Sequence, residues 1–217
     1  MKFPNAAKGV KKLFIANLVA VIAGILALVS AVMAAIGLKN DPVLIAAGSV
    51  ALVATIILIV VFIVQLVGLY QGGKDNALIK AGFYLTIAGI IFTVIGTIFK
   101  SITAVPALVT IGGYLIVIVD GITVVALFYV LRGIAHLCEE SGDEGLASHG
   151  RRLSFIVLIL FVISIVLSLY SNILGNSTIE WVKTTIAVAG IVAAITELIV
   201  SLLVLIYYGR ASKLLNK

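Results

Sequence analysis

The sequence predicts an all-α integral membrane protein: six transmembrane helices, built as three tandem two-helix hairpins about a pseudo-threefold axis along the membrane normal, with both termini cytoplasmic. Three observations lead there. Hydrophobic residues make up 63% of the 217 and charged residues only 11%, an apolar excess too large for a soluble core of this size. Apolar stretches able to cross a bilayer as helices, about 20 residues each, recur six times along the chain. The third observation is an internal repeat in which glycines, polar residues and loop markers return in register.

The first span, roughly 13–38, follows Lys8, Lys11 and Lys12 and runs uncharged for 26 residues from Leu13 to Leu38. That is longer than the 7–15 residues of a signal-peptide core, so it is expected to remain as a helix. Ala23, Ala27, Ala31 and Ala35 give it a four-residue stripe of small side chains, a pattern that lets helices pack closely in lipid. The second span, 43–69, opens on Asp41-Pro42, a cap before a first-turn proline. The third, 82–99, has Gly89, Thr93 and Thr97 at four-residue spacing, and Pro106 opens the fourth, 105–131. The fifth, 153–174, carries Ser164 and Ser168, and the sixth, 182–208, follows Ser177-x-x-Glu180, a capping box that gives Glu180 an ordinary structural role. Trp181, Tyr70, Tyr84 and Tyr208 fall near predicted helix ends, where amphipathic rings suit the headgroup region.

Orientation follows from the basic residues. The N-terminus, the 70–81 and 132–152 loops and the C-terminus hold twelve of the fifteen lysines and arginines, leaving Lys39, Lys100 and Lys183 on the other side. Positive loops stay cytoplasmic, so both termini are expected inside the cell membrane. The net charge of +6 then belongs to a face that meets anionic lipid headgroups rather than nucleic acid.

A glycine precedes a polar residue by seven positions in each even span: Gly48 and Thr55, Gly113 and Asp120, Gly190 and Glu197. Gly68, Gly133 and Gly209 follow at offsets of 13, 13 and 12 from those polar residues. The stretch from Asp75 to Leu85 aligns with Asp143 to Leu153, and Asn5-Ala-Ala with Lys11-Lys-Leu13 forms a degenerate third copy. The expected units within one transmembrane domain, 1–217, are 1–72, 73–140 and 141–217. Because each unit holds two spans, all three share one orientation.

Asp120 and Glu197 are central in their spans, and a carboxyl at such depth is costly to keep, which marks it as a functional candidate. Seven residues are nearly two helical turns, so each glycine shares a face with its polar partner, and Gly48, Gly113 and Gly190 are expected to be helix-packing glycines. In a threefold ring Thr55, Asp120 and Glu197 would meet near the axis, where two close carboxyls share a proton, with Asn17 and Gln65 as polar company. The competing reading is that the protonated acids only glue helices together, a contribution of about 1 kcal/mol per bond.

No phosphate loop, zinc-protease motif or nucleophile elbow is present, and no catalytic role, cofactor or metal is expected. His136, Cys138, Glu139, Glu140 and His149 include metal-ligand types, but their spacing matches no closed zinc site. Glu139, Glu140, Asp143 and Glu144 could instead form a docking patch for a soluble partner. The expected function is transport or channel-like binding of a cation, proton or small solute at the central carboxyls. The alternative is a non-transporting scaffold or accessory subunit that recruits partners through its cytoplasmic loops.

Overall fold

Six long helices account for nearly all of the computed structural model: α1 Pro4–Ile36, α2 Asp41–Gly72, α3 Ala77–Ser101, α4 Pro106–Glu140, α5 Glu144–Leu174 and α6 Glu180–Leu215. The structure describes residues 2–36, 41–174 and 180–217, with the side chains of most residues between 164 and 197, and of several from 31 to 44, outside that description. All six helices contain a stretch long and apolar enough to cross a membrane. Most of them extend beyond the hydropathic spans because charge ends hydropathy but not helix. Lys8, Lys11 and Lys12 lie inside α1, Arg132 to Glu140 inside α4, and Arg151 and Arg152 inside α5.

The tightest contacts join α1 to α2 and α3 to α4, and in both pairs the cause is a seven-residue run of small side chains. On α1 the buried positions Gly9, Ala16, Ala23 and Ser30 recur every seventh residue, and on α2 so do Ala47, Ala54, Val61 and Gly68. The Ser30 hydroxyl donates to the Ala47 carbonyl at 2.8 Å near one end of the pair. Near the other, a Cβ on Gly9 would stand 2.6 Å from the Gly68 carbonyl oxygen. The second pair repeats the scheme with Gly82, Gly89 and Gly96 on α3 against Gly112, Val119, Ala126 and Gly133 on α4. A seven-residue period keeps one seam facing its partner at a shallow crossing near 20°, and small residues there let backbones approach in a solvent with no hydrophobic drive between helices.

The densest packing sits at the end of the bundle that carries both termini and the 73–76 and 141–143 turns. Val10, Leu13, Ile79, Leu131, Ile134, Leu137, Leu153 and Tyr207 are buried there in one cluster. Polar capping fixes the same end. Asp75 accepts from the backbone N–H of Asn5 at 2.9 Å, from that of Ala6 at 2.8 Å and from Asn5 Nδ2 at 2.9 Å, so it closes the start of α1 from the α2–α3 turn. Asn76 caps α3 through the N–H groups of Leu78 and Ile79, and Asp143 accepts from the N–H of Leu146 in the first turn of α5. The sequence repeat pairs Asp75 with Asp143, whereas the structure gives the matching capping role to Asn76, one residue later. Large apolar side chains such as Leu28, Ile45, Ile59 and Ile159 face outward along the helices, the surface that a lipid-solvated protein requires.

Candidate functional site

Residues of α1, α2, α3, α4 and α6 line a half-open cavity of about 560 Å³, within the 300–1,000 Å³ typical of small-molecule sites. Most of its wall is aliphatic, supplied by residues such as Leu13, Leu69, Leu127 and Val204. Polar groups enter from each of the five helices: Asn17, Gln65, Thr86, Thr93, Thr123, Ser201 and Tyr208. No charged side chain lines the cavity among the described residues. The hydroxyls of Thr86 and Thr93 are turned back onto the Gly82 and Gly89 carbonyls at 2.9 and 2.8 Å. No hydrogen bond reaches the side chains of Asn17, Gln65, Ser201 or Tyr208 among the described residues. A polar group without a partner in apolar surroundings costs about 1–3 kcal/mol, so these four offer hydrogen-bonding capacity to whatever occupies the space.

The seam geometry explains why the cavity exists. Gly89 lies on the α3 seam, and a Cβ there would meet only Ile122 at 3.6 Å and Val119 at 3.9 Å, whereas one on Gly82 would meet Val130 at 2.6 Å. The α3–α4 interface is thus looser in its middle than near Gly82 or Gly96. On its other flank the α2–α3 boundary is thin, with contacts gathered at the turn: Gly72 against Ile79, Gly73 against Lys80, and Tyr70 against Phe83. Phe62 of α2 and Val94 of α3, both wall residues, are exposed. The cavity therefore opens sideways between these two helices.

Asp120 and Thr55 stand beside this cavity rather than in its wall. Asp120 is half-buried on α4 between the wall residues Val119 and Thr123, and Leu127, also in the wall, lies seven positions further on the same stripe. Thr55 is exposed and its hydroxyl donates to the Ala51 carbonyl of its own helix at 2.9 Å; the wall residue Phe62 follows it by seven. Glu197 and Gly190 belong to α6, and their surroundings lie outside the described residues. By register Glu197 precedes the wall residues Ser201 and Val204 by four and seven positions. Thr55 is thus about two turns, or roughly 10 Å, along α2 from Phe62, whereas Asp120 and Glu197 are each about one turn along their helices from Thr123 and Ser201. Asn17 and Gln65 are brought together with the cavity.

The expected packing role of Gly48 and Gly113 is not what the structure shows. A Cβ on either would meet nothing within 4 Å. Their neighbours Ala47 and Gly112 are the seam residues, one position and about 100° away around the helix. The seven-residue spacing is real because it is the period of the seam, but the motif marks the stripe beside it. The signal for the close-packed positions was Gly82, Gly89 and Gly96, glycine upon glycine at sevens, together with Gly112.

The other candidates are occupied by structural roles. Glu139 pairs with Arg151 at 2.9 Å, Glu140 lies 3.8 Å from His136, and Asp143 caps α5. Cys138 is buried, and among the described residues no group of three or more His, Cys, Asp or Glu side chains is placed to hold a metal. Glu139 and Glu140 remain exposed at the surface in these contacts. No protein-family model, curated protein or solved structure matches this chain.

Proposed function

We propose that this protein is a small transporter or channel-like protein that takes a small, mainly apolar solute with hydrogen-bonding groups into the cavity. The observation that carries the reading is the meeting of Asn17, Gln65, Ser201 and Tyr208, from three helices and without hydrogen-bond partners among the described residues, around about 560 Å³ of otherwise aliphatic space. Asp120, beside the cavity wall on α4, and Glu197, one turn before Ser201 by its register on α6, couple occupancy to protonation, since a carboxylate this deep is costly unless it meets a cation or takes up a proton. The chain is three tandem hairpins in the cell membrane with both termini inside, a reading supported by the like construction of the α1–α2 and α3–α4 seams and by the placement of lysines and arginines.

The test is a thermal-shift screen of membrane-permeant small solutes on the detergent-purified protein, run in parallel on Asn17→Leu and on Ser201→Phe, which fills the cavity. A solute that stabilises the native chain and loses its effect in both variants supports the reading. Solutes that stabilise all three proteins alike, or none at all, would refute it.

A further inference from the structure

A second, smaller pocket lies at the α2–α3 turn, and we infer that it is a binding site for the headgroup of an anionic phospholipid, whose acyl chain runs along the α2–α3 boundary. The site is independent of what the larger cavity takes. It measures about 350 Å³ and is walled by Leu69, Tyr70, Gly73, Lys74, Lys80, Phe83 and Tyr84. Two ammonium groups and three aromatic rings therefore surround a space large enough for a phosphate and its polar substituent.

Each exposed lysine lies over an aromatic ring. Lys74 Nζ lies 5.0 Å from the centre of the Tyr70 ring and Lys80 Nζ 5.9 Å from that of Tyr84. Phe83 joins the two tyrosines, with ring centres 5.8 Å from Tyr70 and 5.7 Å from Tyr84. Cation–π contact of this kind limits how far each ammonium wanders, so less freedom is lost when an anion binds. The backbone beneath is fixed as well, since a Cβ on Gly73 would stand 2.9 Å from the Lys80 Cα. Asp75, the acid nearest in sequence, has its carboxylate occupied by Asn5 and Ala6 and does not compete for the lysines.

Position selects a lipid over a soluble phosphate compound. Tyr70 and Tyr84 are exposed at the ends of membrane-crossing helices, the depth at which aromatic belts meet headgroups. By the distribution of lysines and arginines this is the end expected at the cytoplasmic leaflet, where anionic lipids reside. Leu69 walls both this pocket and the larger cavity. A chain descending from the headgroup site would pass Leu69 and lie across the lateral opening bounded by Phe62 and Val94, so the bound lipid would stand at the cavity's mouth.

Thermal unfolding of the full chain in neutral detergent, titrated with phosphatidylglycerol, phosphatidylcholine or water-soluble glycerol phosphate, tests this. Phosphatidylglycerol is expected to stabilise the native protein selectively. Lys74→Gln with Lys80→Gln should weaken that response roughly thirtyfold, from about fivefold per lysine at an anionic surface, and Lys74→Arg with Lys80→Arg should restore it. Lys8→Gln with Lys11→Gln, which removes equal charge from exposed sites on α1 outside the pocket, should weaken it far less, because in a neutral micelle lysines away from the bound headgroup meet no anionic surface and their attraction is screened beyond about 10 Å. An equal loss in the Lys8 and Lys11 pair would mean diffuse attraction and would overturn the site. So would equal stabilisation by phosphatidylcholine, or an equal effect of glycerol phosphate.

Discussion

Gly112 and Gly113 are adjacent on α4, yet their replacement by alanine should act in opposite directions. A Cβ on Gly112 would stand 2.6 Å from the Gly96 carbonyl oxygen, 2.8 Å from Lys100 Cγ and 2.9 Å from Lys100 N. The first distance is about 0.7 Å short of the roughly 3.3 Å of an ordinary carbon–oxygen contact. Two of the three obstacles are backbone, so relief requires α3 and α4 to move apart along a seam that Gly82 and Gly96 hold close. Overpacking of this kind costs about 1–3 kcal/mol. A Cβ on Gly113 would meet nothing within 4 Å, and alanine in a helix interior gains about 0.5–1 kcal/mol over glycine. The propensity gain is common to both variants, so the difference between Gly113→Ala and Gly112→Ala isolates the steric cost of about 1–3 kcal/mol. Reversible unfolding of the two variants in mixed micelles measures it. A difference below about 0.5 kcal/mol would mean that the α3–α4 seam does not run through Gly112, and the packing argument would fail.

Three further outcomes follow from the same geometry. Asp75→Ala removes three hydrogen bonds to the first turn of α1 and should destabilise the protein by about 1–2 kcal/mol, the range for loss of a helix cap; unfolding within about 0.3 kcal/mol of native would show that the clasp is idle. Tyr207→Phe should stay within about 1 kcal/mol of native, because the buried Tyr207 hydroxyl lies against Gly150 and its side-chain neighbour for hydrogen bonding is only the weak thiol of Cys138; a larger loss of stability in the same unfolding measurement would show that the hydroxyl–thiol contact is a strong one. Since Cys138 is the chain's one cysteine and is buried, single thiols placed at Thr103 and Lys217 report sidedness. A membrane-impermeant maleimide added to intact cells should label Thr103→Cys and spare Lys217→Cys, and the reverse pattern would invert the orientation.

Hydropathy made the six helices legible because lipid imposes a length and a composition on every span. It undercounted their ends, as at Lys8 to Lys12 and Arg132 to Glu140, because a helix that emerges from lipid keeps its hydrogen bonds while its side chains become charged. The seams were written in the sequence as well, but in small residues at sevens rather than in glycine followed by a polar side chain. Thr55 sits beside the seam residue Ala54 and Asp120 beside Val119, so a search keyed on polarity found the right period on the neighbouring stripe. Of the cavity only Asn17 and Gln65 were legible, as polar residues in apolar spans; Ser201 and Tyr208 were not. Asn17, Gln65, Ser201 and Tyr208 are scattered over the chain, and which way each helix turns in an almost uniformly apolar span is set by packing against its neighbours. The clasp at Asp75 was hidden for another reason: it caps a helix that begins 70 residues earlier, whereas local capping rules look forward along the chain.

Flux into proteoliposomes across pH 5–9, for a solute taken from the stabilisation screen, tests the central claim most directly. The native chain should carry it faster than empty liposomes and show a dependence on pH, Asp120→Asn with Glu197→Gln should flatten that dependence, and Ser201→Phe should abolish the flux. Transport that is unchanged by both the amide pair and the filled cavity, or uptake no faster than in empty liposomes, would contradict the account.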